Sequence, residues 1–249
     1  MSTRARLVVV AAGALGLGVA LIVAILRIPS FGNDFHPYRD AAVTEALHRN
    51  SPNVVSSINF DQRGFDTLGE EAILVAAVVG AATLLRRTSQ PRPPRPAIDP
   101  SSRPPLLAAT RLAGYVLLPV TLLIGADVVV HGHLTPGGGF QGGVVLATGL
   151  HLLYVAGDYR ALRRVRPLVW YETGEAVGMG AVLALGAAGL AAGTGFLSNF
   201  LPKGTSGHLF SAGTVALFSC AVGIAVGSGV VVLLAQFLEE YLGADEGAR

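Results

Sequence analysis

Three acidic residues precede one of the long apolar runs of this sequence. Asp66, Glu70 and Glu71 are followed by the uncharged stretch Ala72 to Leu85, whose fourteen residues would span only about 21 Å as a helix. Because the hydrocarbon core of a bilayer is about 30 Å thick, we expect these acids at its edge or inside it. Carboxylates in that position usually line a polar path or pair with a base, and Arg63 is the nearest candidate base.

Helical spacing limits which of these acids can act together. Asp66 and Glu70 are four residues apart and share one helix face, whereas Glu71 is rotated from Glu70 by about 100°. At most two of the three acids can therefore face one cavity. The alternative interpretation is that they are interfacial acids at a helix N-terminus, where the helix dipole favours negative charge.

A second acidic pair lies near the start of another apolar run. Glu172 and Glu175 are three residues apart and follow Trp170 and Tyr171, which are aromatic residues suited to the interfacial belt of a membrane helix. Both acids are candidates for an ion or proton path. Helix capping is the commoner role for acids in such a position, and it stays open as the alternative.

Asp127, His131 and His133 form a polar cluster at the end of a third apolar run. Asp127 and His131 are one helical turn apart, so a proton site or a metal site is conceivable. Polar residues near a membrane surface are usually only solvated, and we predict no metal and no cofactor. Asp127 and His133 are retained as candidates for an ion or proton path.

The segment that follows this cluster is rich in glycine. Five of the seven residues from Gly137 to Gly143 are glycine, which costs backbone entropy and makes sense where backbones approach closely or carbonyl groups stay free. In lipid such backbone survives only inside protein or beside water. The segment lacks the Lys-Ser/Thr ending of a phosphate-binding loop and follows no predicted strand, so nucleotide binding is not expected.

Composition places the chain among multi-pass membrane proteins. Charged residues make up 14% of the sequence, against about 25% in soluble proteins, and the mean hydropathy is +0.56. The arginines lie beside apolar spans, as topology signals do, so we do not expect nucleic-acid binding. The single cysteine, Cys220, cannot form an internal disulfide or a cysteine metal cluster.

The apolar runs predict an all-α integral membrane protein with about six transmembrane helices, near residues 7–27, 68–86, 106–130, 140–157, 168–192 and 209–238. The first run is interpreted as a retained helix rather than a cleaved signal. A short polar helix is expected over residues 38–48. Thirteen basic residues flank one side of these spans and five flank the other, which predicts that both termini are cytoplasmic.

A proline-rich segment, residues 88–105, interrupts the spans. It contains seven prolines and three arginines, a composition typical of an extended linker. We therefore predict a two-helix part over residues 1–87, a cytoplasmic linker over 88–105 and a four-helix part over 106–249.

Three segments resemble a known family. His133 to Gly143 is similar to the Gly-His-x-x-Pro-Gly-Gly-Gly-Phe-x-Gly-Gly signature of the B subunit of multisubunit Mrp-type sodium/proton antiporters (MnhB), and Ser198 to Thr214 resembles that family's outer loop and final helix. Asn53 to Glu70 resembles the Asn-Val-Val…Asp-x-Arg-Gly-Phe-Asp-Thr-x-Gly-Glu segment near the end of the family's large A-type protein. In membrane-bound hydrogenases the same segment resembles a small separate subunit.

The resemblance implies a fusion of the tail of the A-type protein with an MnhB-like domain, and it implies a function. Such a chain is expected in the plasma membrane of a bacterium, within a hetero-oligomeric antiporter that exchanges Na⁺ for H⁺, and not as an enzyme. The match carries over Arg63, Asp66 and Glu70 as path or interface residues. It also implies a structural motif made of Pro136, Gly137, Gly138, Gly139, Phe140, Gly142 and Gly143.

Three alternatives remain open from the sequence. The same module could belong to the membrane arm of a hydrogenase or related respiratory complex, or it could be a purely structural subunit. An intramembrane protease would need Ser211 or Ser219 with a histidine, but the sequence has no Gly-x-Ser-x-Gly elbow. Where relatives carry a charged residue in the last helix, this chain has Ile224 and Ala225, which weakens an ion role for that helix.

Overall fold

The computed structural model describes residues 3–28, 32, 34–85, 108–156 and 168–246. These residues form helices and loops, and no strand occurs among them. The helices are α1 (Thr3–Leu26), α2 (Pro37–His48), α3 (Val54–Ser57), a π-helical turn (Ile58–Gln62), α4 (Gly64–Leu85), α5 (Ala108–Val130), α6 (Gly139–Val155), α7 (Leu168–Ala191) and α8 (Thr214–Glu246). The predicted linker, residues 88–105, lies outside the described residues.

Five of these helices, α1, α4, α5, α7 and α8, are long and apolar enough to cross a membrane. Helix α6 is apolar but shorter, with 17 described residues. The prediction of an all-α integral membrane protein is therefore confirmed. The orientation of the termini stays a prediction.

The chain divides into two compact units, Met1–Ala41 and Ala42–Arg249. In the first unit α1 is an apolar helix of 24 residues. In the second unit α8 is the central helix, and its side chains are buried to a greater extent than those of the other spans. The core around it is built from Phe60, Val182, Leu197, Ala212, Val215, Phe218, Ala221, Val222 and Val226.

Glycines bring α6 and α8 into backbone contact. A Cβ atom added to Gly139 would lie 2.9 Å from the Gly223 nitrogen, and one added to Gly143 would lie 2.9 Å from the Gly227 nitrogen. Each helix thus presents two glycines four residues apart to the other, a pattern that allows close packing between membrane helices. On its other side α6 meets α5, where a Cβ on Gly142 would lie 2.8 Å from the Val129 nitrogen.

Two helices begin at positions that differ from the predicted ones, for local reasons. Helix α4 starts at Gly64 rather than near residue 68, because the π-helical turn leads directly into it and the Thr67 hydroxyl donates to the Asn59 carbonyl at 2.7 Å. Helix α8 starts at Thr214 rather than near residue 209. Ala212 and Gly213 adopt φ values of 63° and 61°, which a right-handed helix does not tolerate.

Candidate functional site

The glycine-rich signature turn, residues 131–138, is held by one asparagine. The Asn53 amide donates to the carbonyl oxygens of Gly132 at 2.7 Å, Thr135 at 2.8 Å and Gly137 at 3.2 Å. The backbone nitrogen of Asn53 donates to the His133 carbonyl at 3.2 Å. One side chain therefore satisfies three carbonyl groups of the turn.

Asn53 also starts the helix that follows it. Its side-chain oxygen accepts from the Ser56 nitrogen at 3.2 Å, which is the geometry of an N-cap. Gly137 and Gly138 have φ values of 137° and 151°, so the turn depends on glycine there. Within the same motif Pro136 and Phe140 are exposed.

We expect Asn53→Asp to destabilise this turn, because aspartate keeps the capping oxygen but replaces the donating amide with a second acceptor. A fully buried carbonyl group left without a donor costs roughly 1–3 kcal/mol, and two of these three contacts are partly buried. The measurement is the thermal midpoint of the purified complex in mild detergent. Asn50→Asp is the matched control, since Asn50 makes one exposed bond, to the Gly204 carbonyl. An equal loss in both variants would contradict the role given to Asn53.

A buried carboxylate, Asp61, joins the π-helical turn to the loop before α8. Its side chain is 1% exposed, forms an ion pair with Arg49 and accepts from the Asn199 amide at 2.9 Å. The Asn199 amide also donates to the Ala212 carbonyl, and its oxygen accepts from the Thr214 nitrogen, both at 2.9 Å. Arg49 in addition pairs with Glu45 at 2.5 Å, which lowers the pKa of that carboxyl.

The three acids singled out at the start of α4 separate into two faces. Asp66 and Glu70 are exposed, and Arg63 forms an ion pair with Asp66 as the spacing suggested. Glu71 is fully buried on another face, rotated from Glu70 by about 100°, with Thr67 and Val78. Asp66 is the only acid within the first turn of α4, so the dipole interpretation applies to it and not to Glu70 or Glu71.

The acids at the start of α7 also separate. Glu172 is exposed, whereas Glu175 is 8% exposed and lies on the face of α7 that packs against α8. Glu175 lies two turns into the helix, beyond the first turn in which a capping acid acts. A Cβ on Gly229 would lie 3.2 Å from a Glu175 carboxylate oxygen and 3.5 Å from Val78.

The polar residues at the end of α5 differ in burial. Asp127 and His131 bond to each other at 2.9 Å near the surface. His133 is fully buried, and burial lowers the pKa of its ring below the ordinary value, opposed in part by the backbone of His208 and Leu209. No group of three metal-ligating side chains occurs within the part of the chain that the structure describes.

The two serines suggested for an intramembrane protease make the following hydrogen bonds among the described residues. The Ser219 hydroxyl donates to the Val129 carbonyl at 2.7 Å and so joins α8 to α5. Ser211 is buried at the start of α8, and its nitrogen bonds to the His208 carbonyl. Both serines contribute to packing between segments.

Sequence reasoning did not single out Asn53, Asp61, Arg49 or Asn199. Asn53 and Asp61 fall within the segment that resembles the tail of the A-type antiporter protein, so the motif itself carried a signal for them. Arg49 and Asn199 are 12 and 138 residues from Asp61. Nothing in their local pattern indicates that they meet it.

Comparison with known families gives two matches. Residues 109–232 match the domain related to the MnhB subunit of the Na⁺/H⁺ antiporter. Residues 2–104 match MbhE, one of the subunits of MBH.

Two relatives are similar over different shares of their length. The chain is 34% identical to a probable K⁺/H⁺ antiporter protein of the A/B type from Rhizobium meliloti (strain 1021), over 49% of this chain and 14% of that protein. It is 30% identical to an uncharacterized protein of Methanocaldococcus jannaschii, over 72% of this chain and 74% of the relative. The chain thus spans a small part of the first relative and most of the second.

Solved structures show the same fold. A chain of the membrane-bound sulfane sulfur reductase, an archaeal respiratory membrane complex, superposes with a TM-score of 0.66 at 26% identity, covering 94% of this chain and 98% of that one. A chain of the Mrp complex from Dietzia sp. DQ12-45-1b superposes with a TM-score of 0.69 at 26% identity, covering 95% of this chain and 26% of that one. This chain belongs to the family of domains related to the MnhB subunit of the antiporter, and it carries an MbhE segment ahead of that domain.

Proposed function

We propose that this chain is a non-autonomous subunit of a multisubunit cation/proton antiporter of the Mrp type in the bacterial plasma membrane. It contributes to assembly and to the ion path, and it catalyses no reaction of its own. Its partners are the other antiporter subunits and the lipid bilayer. The transported ions are H⁺ and a monovalent cation, Na⁺ by the description of the family and K⁺ by the name of one relative.

The outer face of α4 is the observation that carries this proposal. It presents Asp66 and Glu70 beside Phe65 and Ile73, each of which is 72% exposed. An exposed acid at membrane depth does not face lipid, so within the bilayer this face of α4 requires a polar partner. We infer that another protein of the complex covers α4 and shares a wet passage with these acids.

Glu70→Gln tests the ion-path part of the proposal. We expect the complex to assemble and cation-dependent proton flux in vesicles to fall at least about tenfold, because the change removes a charge while keeping the shape. Na⁺ and K⁺ are supplied separately as the driving cation. Asp40→Asn is the control, since Asp40 is an exposed acid outside the spans that pairs with Arg39. Unchanged flux would remove Glu70 from the path.

The membrane arm of a respiratory complex is the second candidate. It is favoured by the superposition that covers nearly the whole of both chains, on a chain of the sulfane sulfur reductase. Identification of the proteins that purify with this chain separates the two functions. Antiporter subunits without metallocluster proteins support the first, and metallocluster subunits support the second. If neutralising Asp66, Glu70, Glu71 and Glu175 leaves ion flux intact, the chain is a purely structural subunit.

A further inference from the structure

Glu71 and Glu175 are carboxyl groups buried inside the helix packing of this chain. Glu71 is 0% exposed, and neither of its oxygens has a hydrogen-bond partner among the described residues. Glu175 is 8% exposed, and one of its oxygens likewise lacks such a partner within the described ranges. A charged carboxylate buried without a cation or donors is costly, so each group requires a ligand that neutralises it.

The two acids lie at different depths. Helices α4 and α7 run antiparallel, because Gly64 at the start of α4 lies against Leu197, just beyond the end of α7. The Glu175 carboxylate lies at the level of Val78, since both contact the Gly229 position. Glu71 is seven residues from Gly64, and Val78 is seven residues further on. Each interval is about 10 Å along the helix. Glu71 therefore lies about one third of the way along α4, and the Glu175 carboxylate lies at the level about two thirds of the way along it.

The surroundings of the pair favour a proton over a metal cation. A cation stripped of water needs several oxygen ligands arranged around it. The Gly229 position beside the Glu175 carboxylate also contacts the Val78 side chain, which offers no oxygen ligand, and the described residues contain no group of three metal-ligating side chains. The titratable groups facing the pair are Glu70 beside Glu71 and Glu172 beside Glu175. Helix α8 adds no charge between Thr214 and Phe237.

We propose that Glu71 and Glu175 are two successive proton-carrying stations of a pathway inside this chain, between α4, α7 and α8. The proposal rests on the antiporter function proposed above. At each station a carboxylate oxygen accepts a proton and the resulting carboxyl group later releases it. The interval of about 10 Å exceeds a hydrogen bond, so hydrogen-bonded water carries the proton between the stations.

The test compares Glu71→Gln, Glu175→Gln and the double variant in the whole complex reconstituted in vesicles. Each single change is expected to lower cation-dependent proton flux at least about tenfold while assembly is retained. Because stations in series fail together, the double variant should be about as slow as either single variant. The second readout is the infrared band of protonated carboxyl groups, and each single variant should lose part of it.

Several outcomes would overturn the relay. Flux that stays at the wild-type level in either single variant excludes that residue as a station. Lost flux with an unchanged carboxyl band means that the change acts through structure alone. If a glutamine variant does not assemble, Glu71→Met or Glu175→Met replaces it, and undiminished flux in the methionine variant, which has no titratable group, rejects the station. If the wild-type complex shows no cation-dependent proton flux, both the antiporter function and the relay are rejected.

Discussion

Gly139→Ala is expected to destabilise the complex strongly, although it adds a single methyl group. The new Cβ would lie 2.9 Å from both the Gly223 nitrogen and the Val222 Cβ, and closer still to the Ser219 carbonyl oxygen. Two of these three atoms belong to the backbone of α8, so no side-chain rotation relieves the overlap. Overpacking of this kind typically costs about 1–3 kcal/mol. The measurement is the thermal midpoint of the purified complex in mild detergent.

Gly80→Ala is the matched control for Gly139→Ala. Gly80 also lies within a membrane helix, but no atom lies within 4 Å of the position that its Cβ would take. Alanine favours a helix over glycine by about 1 kcal/mol, so Gly80→Ala should leave the midpoint unchanged or raise it slightly. A similar midpoint in the two variants would show that close contact between α6 and α8 does not govern stability.

The contact between α6 and α8 also affects the surroundings of the buried Glu175. Helix α8 packs on α6 through Gly223 and Gly227, and Gly229 of the same helix lies against Glu175. A displacement of α8 away from α6 would therefore alter the packing around Glu175. Gly139→Ala should reduce flux as well as stability. Helix α8 thus connects the helix that follows the signature turn with the buried Glu175.

Hydropathy was sufficient to predict most of the helices. Long uncharged runs determine the spans because backbone in lipid must satisfy its own hydrogen bonds, and this constraint is local in sequence. The predicted starts of α4 and α8 were less accurate than the predicted spans. They depend on a π-helical turn and on left-handed backbone at Ala212 and Gly213, which the sequence pattern does not encode. Because α4 starts at Gly64, Glu71 lies further from the start of the helix than hydropathy alone indicated.

Periodicity predicted part of the candidate site. The spacing of Asp66, Glu70 and Glu71 correctly put the first two on one face and the third elsewhere. It could not say which face would be buried, because that depends on α8, which is more than 140 residues away. The roles of these acids in an ion path stay predictions. Glu175 posed the same difficulty, since its burial depends on Gly229 rather than on its neighbours in sequence.

Long-range polar contacts were beyond sequence reasoning for a related reason. Asp61 meets Arg49 and Asn199 only because the loops before α4 and α8 fold against each other. A buried charge is tolerable when its partners are present and costly when one is missing. The network therefore gives a prediction in which the loss of stability depends on which partner is removed.

Arg49→Met is expected to be far more damaging than Asp61→Asn. Removing Arg49 leaves the Asp61 carboxylate, 1% exposed, without its cation, and breaking a buried pair in this way costs about 3–5 kcal/mol. Asp61→Asn instead leaves Arg49, which is 29% exposed and still pairs with Glu45. The asparagine oxygen can also accept from Asn199. Assembly yield and thermal midpoint of the complex are the measurements.

The double variant Arg49→Met with Asp61→Asn separates charge burial from lost packing. If the damage in Arg49→Met comes from an uncompensated carboxylate, neutralising Asp61 in the same chain should recover much of the lost stability, and the two changes will not be additive. Additive losses, or Asp61→Asn as harmful as Arg49→Met, would mean that hydrogen bonding to Asn199 matters more than the ion pair. The loop before α8 would then be held mainly by Asn199, through its bonds to Ala212 and Thr214.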